Sequence, residues 1–569
     1  MSTNTMMGRN VSAIRDSSGD VAGLSADGLL PYQLSGIHEP AAYAESQALL
    51  AQVTGTKVAY QPWSDTQAFI WSQLDDLHWV KNRLVRDATD QRWSVYSRDI
   101  IKLLAPYSIH KSPVVAGGGS FTLTSTATTG MPTAHCTRRS GVGTAGEYVE
   151  LAVPRAGDVY MAYAQRLNGT YAKVTIDGNE NHPAAIAAGL PLNGTYRYFD
   201  SYGPVDNTRQ RLVKIASNVA AGTVVRVTGT SDFSTGSGAN GLTLECFLIP
   251  CQPGDTNWQQ PAFPLNTAVV QGDEFLGANG AFYCCTVAGT TDAVNEPTHT
   301  SGTAVNGTAT FQYWAFSAGS WHIFSRETQY ASENEYAVRA TVNAVLGEFG
   351  GATHNNETVT AISTLINGRA VAGTIYAPDI GTEIVISETI TAVHAEAANL
   401  AKIDLVRTFA PGIYDVAATI RWQANATIGW MYGAMNVCIP WEGTRAKSAW
   451  QTCRFTGGNV INFSTYASQA DPAVSGGSVY GATLSGAFEY QNGLTEAVSN
   501  HIMCGLQSVN RYASGAEAWL SANANTAAGS GATTWQAKLY FERDSAADTE
   551  LVRPGDVWRI NNRYVTAMA

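Results

Sequence analysis

Between residues 154 and 250 polar and apolar side chains alternate in run after run, and no other feature constrains the chain as much. In DVYMAYA, Val159, Met161 and Tyr163 fall on one side. In YAKVTIDG, Ala172, Val174 and Ile176 alternate with Lys173 and Thr175. In GLTLECFLIP, Leu242, Leu244, Cys246 and Leu248 share a face opposite Thr243 and Glu245. Successive side chains of a strand point to opposite faces, so each run has one face to bury, and two such sheets must cover each other. Asn168-Gly169, Asp177-Gly178 and Asn193-Gly194 fall between the runs, where tight turns are needed. The block is expected to fold as a β-sandwich.

One end of that sandwich is rich in loops and carries Tyr196, Tyr198, Asp200, Tyr202 and Asp206, with Phe199 among them. Aromatic faces beside carboxylates suit sugars, whose C–H faces stack on rings while their hydroxyls need directed partners. The alternative is that these tyrosines only close the edge of the core.

Composition points the same way. Charged residues are 14% of the chain, well below the usual quarter, and 54 glycines accompany 25 tyrosines and 14 tryptophans. Such a chain is expected to be mainly β. A formal net charge of −11 argues against nucleic acid as a partner, since no basic face offsets phosphate repulsion. None of the eight cysteines stands in a CxxC or Cys/His spacing, so no metal is expected, and Cys246 reads as a buried thiol. Neither a phosphate-binding glycine loop nor a GxSxG elbow occurs, so no cofactor is expected and no nucleophile stands out. The longest apolar runs stay short of 18 residues, so no membrane insertion is expected, and MSTNTMMGRNVSA lacks the apolar centre of a secretory signal. The expectation is synthesis in a cytoplasm.

Four regions follow from the changes along the chain. Residues 1–37 are polar and turn-rich, an arm that a partner would have to order. Residues 38–112 read as helical. PAAYAESQALLAQV is rich in Ala and Leu, Ser64-Asp65 resembles a helix start, and Ile70, Leu74, Leu77, Lys81, Leu84 and Ala88 recur at steps of three and four. That stripe suits self-association or packing on a neighbour. RWSVYSRDIIKLLAPYS reads as a further helix stopped at Pro106. A sandwich then spans 113–255 after the glycine hinge SPVVAGGGS. Residues 256–569 are strand-like throughout, with Tyr414, Val416, Ala418, Ile420 and Trp422 on one face, as in one large antiparallel sandwich or two.

The most site-like segment of that last region is GEFGGATHNNETVTAISTLINGRA. His354 and Glu357 stand three apart there, with His394 and Asp404 in later strands. A histidine with carboxylates can form an acid/base pair or hold a cation, but on one strand residues three apart point to opposite faces. The alternative is two polar residues at a strand entrance.

The stretch RAGDVYMAY…AKVTIDG…DSYGPVDNTRQRLVKIASNVAAGTVVRVTGTSD resembles the carbohydrate-binding-like jelly-roll modules of phage tail proteins and of SGNH-type esterases. Its matching residues are Ile176-Asp177-Gly178, Tyr202 and Val224–Thr228. The run GGATHNNET…INGRAV…YGAMNVCIP resembles β-sandwich domains at the C-termini of similar sugar-handling proteins, with His354, Glu357, Gly368 and Met435 at marked positions. No GDS nucleophile block lies between the two. The arm, short helical region, glycine hinge and distal β-domains also resemble a phage tail fibre or tailspike. The resemblance implies a jelly-roll-like sandwich followed by a large antiparallel one. It further implies a virion location, an arm that docks on other virion proteins, a homotrimer, and attachment to host surface polysaccharide. A capsule or O-antigen depolymerase using His354, Glu357 and His394 would share this grammar, as would a purely structural head, collar or baseplate fibre.

Overall fold

The computed structural model describes residues 40–108, 114–118, 122–124, 138–142, 146–164, 169–203, 210–233, 241–251, 263–314, 322–330, 335–350, 354, 356–441, 450–456, 460–462, 474–478, 481–489, 495–507, 517–525, 534–543 and 550–568, with one- or two-residue gaps inside the longer runs. It also describes the antiparallel pair Asn4–Met6 and Arg9–Val11, so most of the 1–37 arm lies outside the described residues. The chain is mainly β and its sheets are antiparallel. It divides into two units. One comprises 1–101, 326–488 and 495–569, and the other 102–325 and 489–494. Among the described residues no helix is long and apolar enough to cross a membrane.

The second unit contains the sandwich. One sheet has six strands in the order Leu192–Asn193, Tyr196–Asp200, Tyr171–Ile176, Val224–Gly229, Tyr148–Ala152 and Val115–Gly117. The facing sheet pairs Gly157–Ala164 with Gln210–Val219 and with Gly241–Pro250, which in turn pairs with 104–108. Val149, Leu151, Ala172, Val174, Ile176, Val225 and Val227 from the first meet Val159, Met161, Tyr163, Ile215, Leu242 and Leu244 from the second in one buried cluster. These are the alternating positions of the sequence, each strand spending one face on the core. Asp177 and Gly178 both take positive φ, 49° and 77°, in a two-residue turn closed by Ile176 and Asn179. One face differs from its reading. The register against Gly157–Ala164 shifts between Leu244 and Cys246, so Phe247 and Ile249, rather than Cys246 and Leu248, continue into the sandwich core. A β-bulge exchanges the faces of a strand, and strict alternation cannot show where one occurs. Residues 263–314 add a small four-stranded sheet around Phe263, Phe275, Tyr283 and Phe311.

The first unit is built on a ten-stranded sheet whose middle runs Glu357–Ile366, Ile384–His394, Ala397–Ala410, Ile413–Trp422, Val557–Met568 and Thr495–Gln507. Tyr414, Val416, Ala418, Ile420 and Trp422 do share its core face, and they pack in one cluster with Val58, Ile70, Val80, Leu84, Val338 and Met431. The helix Pro40–Leu50 opens with proline, whose fixed φ suits a first turn. It lies on the sheet through Ala42 against Met503 and Leu49 against Val565 and Ala567.

Beyond that helix the helical reading of 38–112 is overturned. Val58–Ser64, Gln67–Gln73 and His78–Arg86 are successive antiparallel strands, and Trp93–Ser108 is a fourth strand instead of a helix. Ile70, Leu74 and Leu84 are buried in the core cluster of the first unit, and Leu77 sits in the turn where Asp75 Oδ1 accepts the N–H groups of Leu77 and His78 at 2.8 and 2.7 Å. The seam for self-association is therefore not a helix face. Residues 68–74 are buried on both sides, which erases the period of two and leaves chance matches at three and four. Even Lys81 is buried, with its ammonium over the rings of Phe69 and Trp71 at 5.1 and 5.6 Å.

Candidate functional site

Three of the expected sugar-site residues share one outward face. In Tyr196–Asp200 the core takes Phe199, whose ring lies 4.8 Å from that of Tyr163, so Tyr196, Tyr198 and Asp200 point the other way. Neighbouring strands add to that face. Cross-strand partners run Tyr198, Lys173, Thr228, Tyr148 and Gly117 in one row, with Tyr171 opposite Asp200, and Arg226 opposite Glu150. Tyr171 and Tyr198 stack with ring centroids 4.0 Å apart, and Tyr196 meets Tyr198 edge-on at 6.3 Å. A side chain at Gly117 would collide with the Tyr148 ring, and the Arg226 guanidinium lies 3.9 Å from the centroid of that ring.

Polar groups surround the rings. Asn193 Nδ2 donates to the Tyr196 hydroxyl at 2.8 Å, and that hydroxyl donates to Asp232 Oδ2. Lys173 Nζ lies 2.8 Å from Glu180 Oε1, and Arg226 Nη2 lies 2.6 Å from Glu150 Oε2. The hydrogen bond to Tyr198 pushes the Tyr171 phenol up to about 12, and the bond from Lys173 holds the Glu180 carboxyl below its ordinary range. Tyr202 lies just past the strand, its N–H held by Asp200 Oδ1 at 2.9 Å. Asp206 lies outside the described residues. Tyr148, Tyr171 and Arg226 were missed by the sequence reading. Alternation in YVELA, YAKVTI and VVRVTG marks them as outward, but only the strand order brings them beside Tyr198.

The candidates His354, Glu357, His394 and Asp404 each have partners of their own and form no common site. Glu357 is buried, and both of its oxygens are taken. Arg92 Nη1 donates to Oε2 and the Tyr336 hydroxyl to Oε1, each at 2.7 Å. Arg92 also pairs with Glu335, and Arg407 pairs with Glu335 and, at 2.6 Å, with Glu388 Oε2. Arg407 donates to the Trp93 carbonyl as well, and Glu388 Oε1 accepts the Trp93 N–H at 3.0 Å. Burial alone would raise the Glu335 carboxyl, but the two guanidinium groups hold it below its ordinary range. This network ties five chain segments together inside the core.

His354 instead faces Glu348, at 3.1 Å, and Asp404 pairs with Arg421 in the open. His394 is buried, its Nδ1 accepting the Glu396 N–H at 3.1 Å, and its ring fills the space a side chain at Gly347 would need. Gly347→Ala is therefore expected to displace a packed ring and lower stability by on the order of 1–2 kcal/mol. Equal denaturation midpoints for the variant and the parent would contradict that packing role. Among the described residues no group of three or more His, Cys, Asp or Glu could hold a metal ion.

No protein-family model matches the chain. No curated protein matches it in sequence either. Among solved structures, the catalytic unit of a thermostable GH87 alpha-1,3-glucanase from Streptomyces thermodiastaticus strain HF3-3 is similar over 30% of this chain and 30% of its own length. The identity is 15% and the TM-score 0.15. A likeness at that level carries no argument about fold or function.

Proposed function

We propose that the chain is a phage virion protein of the tail-fibre or tailspike type that attaches to host surface glycan through the tyrosine face of its sandwich. The observation that carries the reading is the stacked pair Tyr171 and Tyr198, half-buried on an outward sheet face and flanked by carboxylates and the Asn193 amide. Rings give a sugar its stacking surface, and the polar groups give its hydroxyls directed partners. In this reading residues 1–37 dock on other virion proteins. The chain acts as a homotrimer, in which several weak sites gain avidity together.

Binding without cleavage is the form the reading takes. Glycoside hydrolysis needs two carboxyl groups on either side of one bond, one of them free to give up a proton. Glu357 is locked between Arg92 and Tyr336, and His394 is packed under Gly347. Tyr171→Ala and Tyr198→Ala are each expected to weaken attachment to a responsive bacterial glycan about tenfold, the loss of one well-placed contact. His354→Ala should leave attachment unchanged. Binding on a glycan array and release of reducing ends are the two measurements. Cleavage by the parent protein that vanishes in the His354 variant would replace the adhesin by a depolymerase.

A further inference from the structure

The charges on the tyrosine face bear on which sugars it accepts, given the glycan-binding reading above. Among the described residues the face carries two cations, Lys173 and Arg226, and four carboxylates, Glu150, Glu180, Asp200 and Asp232. Both cations are already engaged. Lys173 holds Glu180 at 2.8 Å, with Thr195 Oγ1 donating to the second oxygen of that carboxylate at 3.1 Å, and Arg226 holds Glu150 at 2.6 Å. Asp200 and Asp232 are met by neutral donors. Asp200 accepts the Tyr202 N–H at 2.9 Å, and Asp232 accepts the Tyr196 hydroxyl and, at 3.1 Å, Asn193 Nδ2. Arg197 belongs to the opposite face of its strand, where it donates to Asn181 Oδ1 at 2.8 Å and to the Leu190 carbonyl at 2.9 Å. Two positive charges against four negative ones leave −2 around the stacked rings.

A neutral sugar meets this face well. Its hydroxyls donate to carboxylate oxygens that still have lone pairs, and its ring lies on an aromatic face. A uronate, sialate or phosphate group has no proton to donate. It would need a free guanidinium or ammonium, and both of those here are held by glutamates. We propose that the tyrosine face selects neutral glycans and rejects acidic ones, and that the Lys173–Glu180 pair sets this choice. Glu180 is the sensitive position because its removal leaves the Lys173 ammonium beside Tyr196, whose ring centroid it approaches at 5.9 Å, ready for an anionic ligand.

The test is a printed array of bacterial oligosaccharides, neutral and acid-bearing, read with the parent protein, Tyr198→Ala and Glu180→Gln. Glu180 is partly exposed, so its amide variant is expected to fold. The expected result is binding of neutral glycans that Tyr198→Ala loses. Acidic glycans should bind about tenfold or more weaker, with the gap closing near 1 M salt, where the screening length is only about 3 Å. In Glu180→Gln the acidic glycans should gain about tenfold. Acidic glycans bound by the parent through Tyr198 would overturn the selectivity and leave the adhesin standing. An unchanged preference in Glu180→Gln would overturn the role of the ion pair. An array without any Tyr198-dependent signal would overturn the glycan-binding reading, and the selectivity with it.

Discussion

Arg407→Met is expected to destabilise the unit that contains it by about 3–5 kcal/mol, the cost of leaving buried carboxylates without their cation. The arginine is fully buried. Its guanidinium touches Glu335, Glu388 and the Trp93 carbonyl, so the substitution strips one counter-charge from each glutamate and one donor from the backbone. Arg92 remains, but it already serves Glu335 and Glu357, and three carboxylates would then share one guanidinium. Some of them would have to take up protons to stay buried, and burial favours the neutral form. Arg421→Met serves as the control. It breaks an exposed pair with Asp404 and is expected to cost less than about 1 kcal/mol. Denaturant titration followed by tryptophan fluorescence compares the two, with Trp422 and Trp558 in the same buried cluster as reporters. Equal effects of the two substitutions would show that the network contributes nothing beyond a surface pair.

Much of the architecture was legible in the sequence, and the reason is solvent. Ala172 and Val174, or Ala418, Ile420 and Trp422, lie on strands whose other face is partly exposed, and that wetter face writes the period of two into the sequence. Where both faces are covered, as at Ala68–Trp71, the period disappears and the chain was read as helix. The site follows the same rule. Tyr196, Tyr198 and Asp200 were legible as a cluster but were read as loop residues, whereas they alternate with Arg197 and Phe199 on one strand and so share a face. Their neighbours were not legible, because Val224–Gly229 inserts between Tyr148–Ala152 and Tyr171–Ile176, and no local pattern specifies that order. Glu357 was singled out for chemistry because it stands near a histidine in sequence. Its partners Arg92 and Tyr336 come from 265 and 21 residues away, and only the fold reveals that it is a structural ion.

His501 should make the same unit sensitive to mild acid. The residue is fully buried between its strand and the helix Pro40–Leu50. Its Nδ1 lies 2.9 Å from Thr483 Oγ1 and 3.7 Å from Glu45 Oε2, with Arg454 paired to the same glutamate at 2.7 Å and Gly481 closing over the ring. Burial pushes its pKa down from 6.5 to about 4, although Glu45 pulls the other way and Arg454 adds to the lowering. The sign follows from proton binding. Below pH 6.5 the unfolded chain takes up a proton that the folded one refuses until about pH 4. Stability is therefore full above 6.5 and falls through that window by about 1.4 kcal/mol per pH unit, or about 3 kcal/mol in all. His78 has the opposite sense. Burial alone would lower it, but Asp75 and Glu496 raise it, so its contribution is present below 6.5 and fades at higher pH. A comparison of one protein with its variant cancels that background. His501→Leu should flatten the dependence of unfolding free energy between pH 6.5 and 4 by about 3 kcal/mol relative to the parent, whatever its effect at pH 7. Parallel curves for the two proteins across that window would mean that His501 is protonated in the folded state and that Glu45, not burial, governs it.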